Sequence, residues 1–233
     1  MRYPHPLVPG RFIRRYKRFF ADVRLEDGSI VTAHCANTGA MTGCTAPDAP
    51  VRLSPATSPA RKLRWSLEQI YVGRHWILAH TARPNRVVEE AIVSGRVPSL
   101  RSYAVVEREK RAGDARLDLR LSSPGRSVAW VEVKNVSMLC DDDVLRFPDA
   151  VTTRGRRHLQ VLADRARAGE RAVLFLHVGH TGGMRVEPAR DVDPAWAEAL
   201  AEAIGAGVEV ESWRVALTAE EAVLDAPVPF SLG

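Results

Sequence analysis

Lysine is nearly absent from this sequence. Its 233 residues hold four lysines, Lys17, Lys62, Lys110 and Lys134, against twenty-nine arginines. A position that still carries lysine is therefore one where an ammonium is wanted, not positive charge alone. Cysteine is scarce too. Cys35, Cys44 and Cys140 form an odd set without CxxC spacing, so they read as reduced thiols and not as a disulfide framework or a zinc knuckle. No run approaches the roughly 20 apolar residues of a membrane-spanning helix. The opening residues, Met1 to Pro6, lack the apolar stretch and cleavage site of a signal peptide. The chain is expected in the cytoplasm, with no membrane partner. Internal repeats and low-complexity tracts are missing as well.

What is present is an ordinary globular composition, 45% apolar and 26% charged, long enough for one large domain or two small ones. A net charge of +5 permits an anionic partner without establishing one.

Residues 18–24 read as a strand, Glu26-Asp27-Gly28 as a turn and 29–35 as the returning strand, a hairpin marked by its Asp-Gly. Further short strands at 51–53 and 76–79 flank the loop 55–59. Closely spaced strands without helices predict a small β-barrel over 1–82. The pattern changes at Pro84-Asn85, where Asn85 suits a helix cap, Glu89 and Glu90 the helix, and Gly95 its end. Strands follow at 102–108, 116–121 and 127–134. A helix at 153–168, a strand at 172–177, a helix at 194–204 and a strand at 208–215 complete an α/β layer over 83–233.

One constellation carries chemistry. In Trp130-Val131-Glu132-Val133-Lys134, alternation sends the valines to one face and Glu132 and Lys134 to the other, about 7 Å apart. The strand before it carries Asp118 among leucines, and Ser122-Ser123-Pro124-Gly125 supplies a turn between the two. Paired as a hairpin, these strands bring Asp118 and Glu132 to one place. Two carboxylates there repel unless a cation joins them, and oxygen donors alone suit a hard ion, Mg²⁺ or Mn²⁺. Glu109 lies upstream and is placed to complete the ion's shell. Lys134 then stands ready to orient a water or offset charge developing on a phosphoryl group. The bland alternative is an exposed Asp beside a solvated Glu–Lys pair. Context favours chemistry, because a basic crossover helix follows, with Arg154, Arg157, His158 and Arg165 opposite an apolar stripe of Leu159, Leu162, Ala163 and Ala166. Asp141, Asp142 and Asp143 read as an exposed acidic loop.

Longer blocks extend the match. Residues 113–118, then Val131-Glu132-Val133-Lys134, then 147–159, resemble the sugar fermentation stimulation protein A family. So do Arg15-Tyr16-Lys17-Arg18-Phe19, the Asn-Thr-Gly loop within 34–44, Arg61-Lys62, Pro84-Asn85-Arg86 and Glu90-Ala91-Ile92. The resemblance spans nearly the whole chain. It implies an OB-like β-barrel followed by a nuclease-like α/β domain of the PD-(D/E)xK type, and DNA as partner. By that match Glu109, Asp118, Glu132 and Lys134 occupy the nuclease-motif places. Ala115 stands where the family often has Ser, and Arg157 where Lys is usual. Neither change removes a metal ligand.

Three functions stay open. One is a DNA-binding protein, regulatory in connection with sugar metabolism as far as the family name goes. A second is a Mg²⁺-dependent DNA nuclease. The third is an interaction module without nucleic acid. The run from Arg11 to Phe20 favours DNA, since OB barrels stack bases on aromatics in a basic groove. Arg14, Arg15, Lys17 and Arg18 are its expected contacts, joined by Arg154, Arg157 and His158 on the helix. No organic cofactor is expected.

Overall fold

The computed structural model describes residues 1–37, 39, 41 and 44–233. Among them, β1 (Val8–Tyr16), β2 (Phe20–Leu25), β3 (Ile30–His34), β4 (Pro50–Pro55), β5 (Trp65–Val72) and β6 (His75–Leu78) form one sheet. It runs in the order β3-β2-β1-β4-β5-β6, and a parallel contact of β3 with β5 closes it into a five-strand barrel with β6 as an appendage. Phe12, Val23, Val51, Leu53, Leu67 and Ile70 fill its interior. The strand expected from residue 18 begins at Phe20 instead. Lys17 and Arg18 take positive φ, 47° and 63°, in the β1–β2 turn, outside the extended region that strands occupy as a rule. Within the Asn-Thr-Gly loop, Thr38, Ala40, Thr42 and Gly43 lie outside the described residues.

The second half begins with α1 (Arg83–Val93). Its start differs from the sequence expectation. The N-cap position is Ala82, which makes no side-chain cap bond among the described residues, and Asn85 lies inside the first turn. Pro84 explains the earlier start, because proline fits a helix's first positions. Next come β7 (Val105–Ala112), β8 (Ala115–Ser122), β9 (Ala129–Val136), β10 (Met138–Leu139) and β11 (Val144–Phe147). Then α2 (Thr153–Arg167), β12 (Arg171–Val178), β13 (Arg185–Pro188), α3 (Pro194–Gly205), β14 (Glu209–Leu217) and β15 (Ala222–Pro227) follow. The main sheet runs β15-β14-β12-β9-β8-β7, with β12 parallel to both β9 and β14 and the outer pairs antiparallel. The parallel centre requires crossover helices, α2 and α3, which share one face, while α1 covers the other. On one side Val87, Val88, Ala91 and Ile92 of α1 pack against Leu119, Val131, Val133 and Phe175. On the other, Leu159 and Leu162 of α2 and Trp196 and Leu200 of α3 pack against Leu117, Trp130 and Leu174. Each such aliphatic side chain contributes about 1.5–3 kcal/mol when fully buried. An OB-like barrel followed by an α/β domain is thus what the chain forms.

The two halves are stitched together. Tyr3 and Leu7 donate backbone hydrogen bonds to Glu220 and Ala219 at 2.9 and 2.8 Å, so the first residues lie along the far end of the α/β sheet. Leu78 donates to Gly179 at 2.7 Å and Thr181 to Trp76 at 3.0 Å, tying β6 to the segment after β12.

Two acceptors set the starts of α2 and α3. Thr152 Oγ1 accepts from Gly155 N at 3.0 Å. Asp193 is buried and does more: Oδ1 accepts from Trp196 N at 3.0 Å and Oδ2 from Thr152 N at 2.8 Å. Asp193→Ala should therefore cost about 2 kcal/mol, against about 1 for Thr152→Ala, because it removes the α3 cap and also leaves the part-buried Thr152 amide without its acceptor, the Trp196 amide keeping the Asp193 carbonyl at 3.1 Å. Urea denaturation of the two variants checks the ranking, and equal losses would contradict it.

Candidate functional site

The site lies where β8 parts from β9. The two strands pair at Leu121–Ala129, Arg120–Trp130 and Leu119–Val131. At the next position the Asp118 carboxylate takes over the backbone's role: Oδ2 accepts the Val133 N–H at 2.8 Å. Its Oδ1 accepts from Asn85 Nδ2 at 2.7 Å, so the first turn of α1 clamps the other oxygen. Asn85 thus serves this carboxylate and not the cap expected of it.

Glu132 projects from β9 into a nearly closed space, its side chain 3% exposed. Lys134, two residues on and therefore on the same face, donates from Nζ to Oε1 at 2.5 Å. His158 of α2 donates to the same oxygen through Nδ1, while Arg154 Nε approaches its Nε2 at 3.3 Å. That second contact assigns the ring proton to Nδ1. The other carboxylate oxygen, Oε2, is buried with no hydrogen-bond partner among the described residues.

The electrostatics follow from this crowding. Burial, then repulsion from Glu132, push the Asp118 carboxyl up to about 6, against the Val133 amide, Lys134 and Asn85. Burial also pulls Glu132 upward. The His158 hydrogen bond and the Lys134 charge outweigh it and hold that carboxyl below its usual range. The pair is therefore one easily ionised acid beside one reluctant one, with an unused oxygen between strands and helix.

Glu109 sits across from Asp118 on β7, between the pairs Arg108–Leu119 and Lys110–Leu117. It is exposed and its φ is +51°. Among the described residues no group of three or more His, Cys, Asp or Glu side chains comes together to hold a metal. Asp118 and Glu132 are brought to one place, and Glu109 is not drawn into a common cluster with them.

His158 departs from the basic face on which it was expected. It is buried at 6% exposure against Glu132 because it neighbours Gly155 and Leu162 on the helix's inner side. That spacing was the signal by which its role could have been found. Arg154 and Arg157 are exposed, and Arg157 pairs with Asp114. On the β1–β2 hairpin, Lys17 and Arg18 are exposed at the turn. Arg14 is exposed but ion-paired with Asp22 at 2.9 Å, its guanidinium 5.1 Å from the Tyr16 ring centroid. Arg15 turns inward and donates to the carbonyls of Arg18, Asn37 and Gly39 at 3.0, 2.7 and 3.0 Å. Phe12 fills the barrel while Phe19 stands 46% exposed.

The raised Asp118 carboxyl has a sign that can be measured. Its folded value of about 6 exceeds the ordinary 3.8, so the protonated form favours the fold. The stabilisation is complete below about pH 3.8 and is lost as pH rises through about 6. In chelator, Asp118→Asn should melt above wild type at pH 8, and the gap should close as pH falls towards 4. Parallel melting curves for the two proteins across that range would contradict the assignment.

Residues 82–221 match the family model described as "Sugar fermentation stimulation protein RE domain", and residues 13–79 match "SfsA N-terminal OB domain". A sugar fermentation stimulation protein homolog of Paramagnetospirillum magneticum is 46% identical over all of this chain and 98% of its own length. One from Geobacter metallireducens is 45% identical over the full length of both. Among solved structures, Pyrococcus furiosus SfsA in complex with Ca²⁺ superposes with a TM-score of 0.89 at 26% identity, covering 100% of this chain and 98% of the other. The barrel, the α/β domain and these full-length matches lead to one conclusion: this chain belongs to the sugar fermentation stimulation protein family.

Proposed function

We propose that this is a cytoplasmic DNA-binding protein that holds one divalent cation, Mg²⁺ or Mn²⁺, between Asp118 and Glu132. The observation that carries the reading is the buried Oε2 of Glu132, without a partner among the described residues, beside a carboxyl raised by burial and like-charge repulsion. A hard cation satisfies that oxygen and removes the repulsion, and an all-oxygen donor set suits it. The related Pyrococcus protein, solved with Ca²⁺, supports a site for such ions in this family. Two carboxylates leave the remaining positions to water and substrate, with Glu109 across the strand as a further acidic group.

When bound, the ion would polarise a phosphoryl oxygen and acidify a water. His158 fixes the orientation of Glu132 by holding Oε1, which leaves Oε2 as the ligand atom. Asn85 and the Val133 amide do the same for Asp118. Lys134 directs one N–H to Glu132 and keeps its other donors for a phosphate oxygen. Exposed Lys17, Arg18 and Arg14 on the hairpin, with Arg154 and Arg157 on α2, form the basic surface for the DNA backbone. Arg15 supports this surface by bracing the loop behind it.

A second reading, Mg²⁺-dependent cleavage of DNA, is favoured by Lys134, since an ammonium beside the ligand carboxylate is suited to charge that develops only in the transition state. A regulatory role in sugar metabolism rests on the family's name.

Calorimetric titration with Mn²⁺ tests the site. Wild type should bind one ion, and Asp118→Asn with Glu132→Gln should abolish the heat while leaving the fold intact. Equal binding by the double variant would remove the metal assignment. Below about pH 6, affinity should drop about tenfold per pH unit as Asp118 takes up its proton.

DNA binding is tested by its salt dependence, with log K falling by about 0.9 per contacted phosphate on duplex. Replacing Arg14, Lys17 and Arg18 by alanine should flatten that slope, and absent binding to either single or double strands at low salt would end the DNA reading. Cleavage of any DNA form with Mn²⁺, lost in Lys134→Ala, would select the nuclease over the binding protein.

A further inference from the structure

A cavity of about 270 Å³ opens where the barrel, the N-terminal segment and α1 meet. Arg2, Arg61, Arg83 and Arg86 line it, together with His80 and Ser66. Among the described residues no aspartate or glutamate contributes to the lining. Guanidinium groups gathered round one small space make the field within it positive.

Some of that charge is offset from behind the walls. Glu68, wholly buried on β5, grips Arg83 at 2.9 and 2.5 Å and also accepts from Ser54 Oγ at 2.7 Å. Arg83 is thereby a fixed fork and not a loose surface arm. Arg86 pairs with Glu90 at 2.8 Å, and Arg2 lies 3.5 Å from Glu221. Arg61, exposed on the 56–64 loop, makes no ion pair with a described residue. His80 uses Nδ1 to accept the Ala82 amide at 3.3 Å, which leaves Nε2 for a ligand. Burial holds His80 below its ordinary value, and Arg83 and His34 add to this against the pull of Glu68. The first turn of α1 adds to the positive field, having no acidic residue and no side-chain cap among the described residues.

We propose that this cavity binds a phosphate monoester, either a small phosphate compound or the phosphorylated end of a nucleic-acid strand. Guanidinium forks match the oxygens of such a group bidentately. A recessed space suits a terminal phosphate better than a backbone that must pass through. In its strand-end form the inference rests on the DNA reading above and deepens it. The same first turn of α1 that supplies Arg83 and Arg86 here supplies Asn85 to Asp118. A strand end held in the cavity would therefore be anchored by the helix that shapes the metal site.

The test uses the full-length protein and inorganic phosphate, followed by calorimetry. Wild type should bind saturably, and Arg61→Ala and Arg86→Ala should each weaken binding by about tenfold, the loss expected for a charged hydrogen bond. Arg61→Lys should retain more affinity than Arg61→Ala. A second arm compares one fluorescent single-stranded oligonucleotide with and without a 5′-phosphate, in the absence of metal. Tighter binding of the phosphorylated form, lost in Arg61→Ala, assigns the cavity to a strand end. Equal binding of the two forms, with inorganic phosphate still bound, assigns it to a small phosphate compound. No saturable phosphate binding, or binding indifferent to both alanine variants, overturns the proposal. Either result leaves the Mn²⁺ titration and the salt slope to judge the DNA reading on their own.

Discussion

Asp118 and Glu132 are two like charges set side by side where little water reaches, and the surrounding structure is organised to hold them there. Asn85 from α1, the Val133 amide and Lys134 from β9, and His158 from α2 all direct donors at the pair. Buried charge is tolerated only when such partners are supplied with good geometry. The balance is unequal. Among the described residues Glu132 receives two donors on one oxygen and none on the other, while Asp118 is left with its carboxyl raised to about 6. A fold that stops short of satisfying its own carboxylates keeps room for a further partner to complete them.

The same logic recurs at the seam between the two halves. Glu68 and Gln69 are adjacent on β5 and both wholly buried. Each is answered from outside the barrel: Glu68 by Arg83 of α1, and Gln69 by the Thr218 carbonyl at 2.9 Å. Arg15 reaches from the hairpin to the carbonyls of Asn37 and Gly39. There a Cβ on Gly39 would stand 3.2 Å from Asp149 Oδ2, on the approach to α2. The barrel's polar residues thus serve to join it to the domain that carries the carboxylates.

The pairing of Asp118 with Glu132 was legible because it depends on local rules: alternation along two strands and a turn between them. The apolar stripe of α2 and the parallel crossover were legible for the same reason. What lay hidden depends on partners far away in sequence. Strand β5 reads poorly because Glu68 and Gln69 interrupt its apolar pattern, and partners on other elements, Ser54 and Arg83 for Glu68 and Arg52 and Thr218 for Gln69, make them acceptable inside. Asn85 has the chemistry of a cap, yet its amide goes to a carboxylate 33 residues on. His158 looked like one more basic residue among arginines, although its spacing from Leu162 already placed it on the inner face.

The hydrogen bonds from Tyr3 and Leu7 to Glu220 and Ala219 have a consequence for biosynthesis. Contacts so distant in sequence carry the largest loop-closure cost. On the ribosome the barrel has all its strands once β6 has emerged, and it can close early. The main-chain partners of Tyr3 and Leu7 are not in place until the turn before β15 is made, more than two hundred residues later. The opening segment's main-chain bonds therefore fasten the seam only after the barrel has had the chance to close.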